Sequence, residues 1–153
     1  MNEEVEARNV NTTQELLGFV ELTDVTTYAV HGQRFDDDDE HEPRQQINVA
    51  LKRTEQSIST RVRLEHGTRD ALFLADIAAT YALSEPVTIS EAVARDFAER
   101  VGIMAVYPYL RETISATAVR LRVDVPFLKL LLPGQIKLAD PESELEAAPG
   151  DTE

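Results

Sequence analysis

The 153-residue chain contains no cysteine and no tryptophan, and aromatic residues make up only 6% of it. Without cysteine there is no disulfide framework, which fits a reducing compartment and leads us to expect a cytoplasmic protein. Long hydrophobic runs are also missing. No window approaches about 18 consecutive apolar residues, and the N-terminal Met-Asn-Glu-Glu-Val-Glu-Ala-Arg is acidic where a signal peptide is basic. Membrane insertion and signal-directed secretion are therefore not expected. Basic residues are scarce, with 15 Lys and Arg against 28 Asp and Glu and a net charge of −13. Phosphate binding needs a cationic face that releases counterions, so nucleic acid is not an expected partner. No Gly-rich phosphate loop and no Gly-x-Ser-x-Gly elbow occurs, which leaves nucleotide use and serine hydrolysis without support.

The negative charge is concentrated. Residues 1–8 carry three Glu and one Arg, residues 36–42 six acids, and residues 139–153 six acids with no base. The rest of the chain is close to neutral, so the acidity reads as solvation of two ends and a loop and as repulsion between copies. The run Asp36, Asp37, Asp38, Asp39, Glu40, His41, Glu42 is the candidate metal site. It lacks the spaced ligands and central Gly of a calcium loop, and the three histidines form no zinc-binding pair on a helix. No metal and no cofactor is expected.

What the chain does have is alternation. Ile47, Val49 and Leu51 are apolar on odd positions, and Ile58, Val62 and Leu64 on even ones, which describes two half-buried antiparallel strands joined near residues 54–56. A further strand runs from Ala71 to about Leu83, with Phe73, Ala75, Ile77, Ala79, Tyr81 and Leu83 as its core face. Its other face sets Leu72 and Leu74 beside Asp76, a candidate contact patch. The first strand, Phe19 to Val30, has Val20, Leu22, Tyr28 and Val30 in one parity together with Asp24 and Thr26. Either a bulge switches its faces or a carboxylate sits in an apolar stripe. After Pro86 the period becomes helical. Thr88 and Glu91 read as a capping box, Ile89, Val93, Phe97 and Val101 as a stripe, and Gly102 as a stop. A second helix is expected from Pro108, burying Leu110, Ile114, Thr117, Ala118 and Leu121, followed by an extended apolar segment between Pro126 and Pro133. The fold class is α+β: a four-stranded antiparallel sheet followed by two helices packed on one face. The expected divisions are a flexible acidic N-terminus at 1–15, one folded domain at 16–138, and a disordered acidic tail at 139–153.

One stretch is more specific. Val106-Tyr107-Pro108-Tyr109-Leu110-Arg111-Glu112, followed by Ile114 and then by Pro126 with Leu128 and Leu130, resembles the SecB family of export chaperones. That family carries an aromatic-Pro-Tyr-x-Arg-Glu helix start and a Pro- and Leu-rich extended segment. The similarity extends over about residues 16–138, and Phe73-Leu74-Ala75-Asp76-Ile77 is similar to the family's fourth strand with its Leu-x-acid pair. Tyr107 stands where Phe is commoner, Tyr28 where a second acid is expected, and the segment after Pro126 is one residue longer. These departures point to a divergent branch such as the SecB-like chaperones that attend toxin-antitoxin pairs.

The resemblance implies a homotetramer, a dimer of dimers, that holds unfolded polypeptides without ATP and is not an enzyme. It implies unfolded preproteins as clients, handed to the translocase motor SecA, or an antitoxin as a dedicated client. It places motor docking on Asp24, Leu74 and Asp76. Tyr81, Met104, Val106, Tyr109, Phe127 and Leu130 are the apolar candidates for client contact, with core or subunit-interface packing as the alternative for each. A small α+β enzyme using the acidic loop for metal, and an oligomer with no client, are the readings from other classes.

Overall fold

The computed structural model describes residues 4–38 and 41–138. Four long strands form one antiparallel sheet: β2 (Val20–Arg34), β3 (Arg44–Arg53), β4 (Ser57–Gly67) and β5 (Ala71–Leu83), in the spatial order β2-β5-β4-β3. The two tight turns between these strands are closed by threonine. The Thr54 hydroxyl accepts from the amides of Gln56 and Ser57, and the Thr68 hydroxyl accepts from those of Asp70 and Ala71. Alternation then fixes the faces. Ile58, Thr60, Val62 and Leu64 of β4 and Phe73, Ala75, Ile77, Ala79 and Tyr81 of β5 point inward and are buried.

Of the two readings of the first strand, the bulge is the one observed. Pairing between β2 and β5 slips between Leu22 and Asp24 and again between Thr27 and Ala29, so Leu22 faces Tyr81 while Asp24 faces Thr80 on the opposite side of the sheet. Each extra residue reverses the parity, which is how Leu22 and Asp24 come to lie on different faces.

The inner face is covered by one continuous helical run. It comprises α2 (Glu91–Phe97), a π-helical turn (Ala98–Gly102) and α3 (Ile103–Leu121). Its start differs from the expected capping box: Ser90 is the N-cap, its hydroxyl accepting from Val93 N–H, and Thr88 lies in a short strand, β6 (Val87–Ile89). Gly102 is not a stop. It keeps helical geometry (φ −62°), and its missing side chain admits Thr60, since a Cβ there would fall 2.0 Å from Thr60 Oγ1. Glycine serves close approach here rather than a left-handed turn, and Pro108 lies within the continuing α3. Phe97, Ile103, Val106, Leu110, Ile114 and Ala118 carry the buried stripe of this run.

The segment expected to be a flexible N-terminus contains regular structure from Arg8 onward. Strand β1 (Arg8–Val10) pairs in parallel with β6, and a helical turn, α1 (Thr13–Leu16), is capped by Thr12 and buries Leu16 completely. A three-residue strand and a one-turn helix are too short to show a hydrophobic period, which is why the boundary drawn at residue 16 cuts through this unit. The acidic tail at 139–153, and Asp39 and Glu40 of the acidic loop, lie outside the described residues.

Candidate functional site

Two surfaces carry the candidate residues. On the outer face of the sheet, Asp76 is buried (2% exposed) although no helix among the described residues covers it. Its lid is made of side chains. Arg61 on β4 donates from Nε to Oδ1 and from Nη2 to Oδ2, each at 2.8 Å, and the Arg63 guanidinium lies 3.7 Å away. Tyr28, in the second bulge of β2, stacks on Arg61 with the guanidinium carbon 3.9 Å from the ring centre. The bidentate bond from Arg61 outweighs burial and holds the Asp76 carboxyl below the usual carboxylate range. Leu74 is half-buried beside it. Asp24 is exposed, and its carboxylate accepts from the Thr26 hydroxyl at 2.7 Å. The expected patch, an exposed acid beside exposed leucines, is therefore not what the face presents: Asp76 is sequestered, and two half-exposed arginines stand around it.

The second surface is apolar. The segment after α3 reverses at Arg122, which adopts the left-handed conformation (φ 55°), while Arg34 Nη1 donates to the last helical carbonyls. Residues 123–138 then run back along the helical layer. They are pinned where Tyr107 Oη donates to the Lys129 carbonyl, and where the backbone N–H of Gly134 and of Leu138 donate to the Glu99 carbonyl and carboxylate. Arg95 also donates to the Leu138 carbonyl. Leu128 is drawn into the core by this anchoring, whereas Phe127, Leu130 and Leu132 stand 82%, 78% and 68% exposed. Tyr109 and Val119 add exposed apolar area on α3.

The six apolar candidates divide accordingly. Tyr109, Phe127 and Leu130 lie on the surface, and Met104 is half-buried. Val106 is fully buried and Tyr81 is 7% exposed, with its ring edge-on to Phe97 at 5.2 Å. Those two are core residues, the alternative weighed for them. Leu132, Val119, Leu22 and Val30 are exposed apolar residues that sequence reasoning did not single out. Leu132 was reachable, because it shares parity with Leu130 in an extended segment. Among the described residues no cluster of three or more His, Asp or Glu is placed to hold a metal ion, and no helix is long and apolar enough to cross a membrane.

No protein-family model matches the sequence. A curated relative does: the chain is 42% identical over 136 residues to the SecB-like chaperone SmegB of Mycolicibacterium smegmatis, covering 88% of this chain and 91% of the relative. This chain belongs to the SecB-like chaperones. The fold agrees. A solved SecB-like chaperone of Mycobacterium tuberculosis, in complex with a ChAD peptide from the HigA1 antitoxin, superimposes with a TM-score of 0.63 at 16% identity. That match covers 78% of this chain and 94% of the other. The four-stranded antiparallel sheet with helices on one face is thus the architecture of a SecB-like chaperone.

Proposed function

We propose that this SecB-like chaperone is a cytoplasmic, ATP-independent holdase dedicated to an antitoxin, rather than one that passes preproteins to a SecA-type motor. The observation that carries the choice is Asp76. The motor docking implied by the resemblance needs an available carboxylate beside Leu74, and here that carboxylate is engaged twice by Arg61 and shadowed by Arg63. A partner recognising an acid would have to break a charge-assisted pair first, and it would meet two guanidinium groups on the way. The antitoxin peptide bound to the structural neighbour supports the same choice. Client contact falls to the exposed apolar set Tyr109, Phe127 and Leu130, extended by Leu132, and to the half-buried Met104. Their area is available for burial by an unfolded segment at about 25 cal/mol per Å2. The assembly is a homotetramer.

The test is the lifetime of the antitoxin encoded nearest to this chaperone, measured in cells with and without the chaperone gene. We expect the antitoxin half-life to shorten severalfold on deletion while export of secreted proteins continues unchanged. A stable antitoxin together with accumulating unprocessed preproteins would reverse the choice.

A further inference from the structure

The two edges of the main sheet are built differently. Edge strand β2 is broken by two bulges and carries Glu21, Asp24 and Arg34, features that discourage a further strand from adding to it. Edge strand β3 has neither defence along its middle. Its register with β4 runs without a shift from Arg44 to Arg53, and residues 45–51 (Gln-Gln-Ile-Asn-Val-Ala-Leu) contain no charge, no Pro and no Gly. Ile47, Val49 and Leu51 are only half-buried, because α3 packs chiefly on β5, β2 and β4. Among the described residues β3 makes no backbone hydrogen bond to any strand other than β4.

Basic residues stand along this edge in a chain whose net charge is −13. Arg44, Lys52 and Arg53 flank the uncharged stretch, with Arg53 paired to Glu91. Beside its middle lies a depression of about 300 Å3 lined by Asn48, Val49, Ala50, Arg61, Arg63 and Asp76. Ala50 pairs with Arg61 and Asn48 with Arg63; the Arg61 guanidinium is turned away from the edge, to Asp76 on β5 and Tyr28 on β2, whereas the Arg63 side chain is half-exposed. Two arginines there face one carboxylate. Arg63, at 3.7 Å from Asp76, is the less engaged of the two.

We propose that the β3 edge binds an extended client segment by strand addition, and that it prefers segments alternating apolar and acidic residues. This rests on the polypeptide-holding reading and adds a mode to it. Backbone hydrogen bonds to the edge accept any sequence, as a holdase requires. Apolar side chains of the added strand continue the Ile47, Val49, Leu51 stripe, and carboxylates on its other face meet Arg63.

The test uses the full chain and a fluorescent ten-residue peptide of alternating Val and Glu, read by anisotropy. A strand added to an edge points the N–H groups of every second residue at that edge. N-methylation of one set, either the Val or the Glu residues, should therefore weaken binding at least about tenfold, and methylation of the other set should leave it nearly unchanged. Equal tolerance of both sets would overturn strand addition. Replacing Glu by Lys in the peptide should also weaken binding, and Arg63→Gln should shrink the preference for Glu over Gln by about threefold. A Lys peptide that binds as well as the Glu peptide would overturn the charge preference. Light scattering on the same samples identifies the occupant: a fall in mass on saturation would mean that a second copy holds the edge, contrary to the proposal. Suppression of client aggregation by the same preparation separates the two levels of the argument. Suppression without any parity effect sinks the edge and spares the chaperone reading, and loss of both sinks both.

Discussion

The inner and outer faces of β5 bury their side chains by different means. On the inner face Phe73, Ala75, Ile77, Ala79 and Tyr81 are covered by a second layer, the helical run. On the outer face Asp76 and Ala78 are just as inaccessible with no layer above them among the described residues, because long side chains from β4 and Tyr28 fold over the strand. The first kind of burial is apolar and depends on fit. The second is electrostatic and depends on a few bonds, so the two should respond differently to substitution, acid and salt.

The largest effect should come from spoiling the fit. Gly102→Ala places a methyl group against Thr60 on the rigid inner face of β4, where the built Cβ lies 2.6 Å from Thr60 Cβ. Despite alanine's better helix propensity, overpacking should cost roughly 2–4 kcal/mol, read as a lower urea midpoint. An unchanged midpoint would show that the π-helical turn can shift away from the sheet and that the inner face is softer than described.

Asp76→Ala comes next, because it removes the bidentate charge-assisted pair that closes the outer face. It also carries a pH signature. Asp76 and Asp96 both have carboxyls held below the ordinary range, Asp76 by the hydrogen bond from Arg61 and Asp96 first by the Thr13 hydroxyl. Near pH 4 the unfolded chain therefore binds more protons than the folded one. The stabilisation is complete above the ordinary value of about 3.9 and is lost as pH falls through the lowered folded value. Asp76→Asn should flatten this acid limb, whereas Gly102→Ala should lower stability by the same amount at every pH. Parallel pH profiles for the two variants would erase the distinction between the faces.

A smaller effect is expected at the return segment. Tyr107→Phe removes the bond to the Lys129 carbonyl and should cost about 1 kcal/mol or less. The loss should be local, seen as faster amide exchange in residues 127–132 with the sheet unaffected. Unchanged exchange there would mean that the segment is held without this bond.

Much of this was legible in the sequence, and the reasons differ by region. The alternation in β3, β4 and β5 gave their faces, since a period of two survives wherever one side is dry. The parity conflict at Asp24 announced a bulge in β2, though not its place. The Gly102 stop and the Pro108 start were misread for a common reason: each residue has a local meaning and a packing meaning, and only the neighbouring Thr60 decides which applies to Gly102. The burial of Asp76 was hidden because its cause lies on β4, fifteen residues away in the chain, and a carboxylate beside two leucines reads as exposed until Arg61 is placed over it. Among the client candidates, Phe127 and Leu130 follow from an apolar segment too short to bury every residue. Tyr81 and Val106 share their chemistry but sit on faces that the core claims.

The smallest effect on stability should accompany the largest effect on function. Phe127 and Leu130 contribute little to the fold, so the double variant Phe127→Ser, Leu130→Ser should stay within about 0.5 kcal/mol of the parent. Its capacity to keep an unfolded client from aggregating, measured by light scattering against chaperone concentration, is the direct test of where the client is held. The prediction is that severalfold more of the folded variant is needed for the same protection. Full protection by Phe127→Ser, Leu130→Ser, with its fold intact by circular dichroism, would contradict the assignment of client holding to the apolar surface.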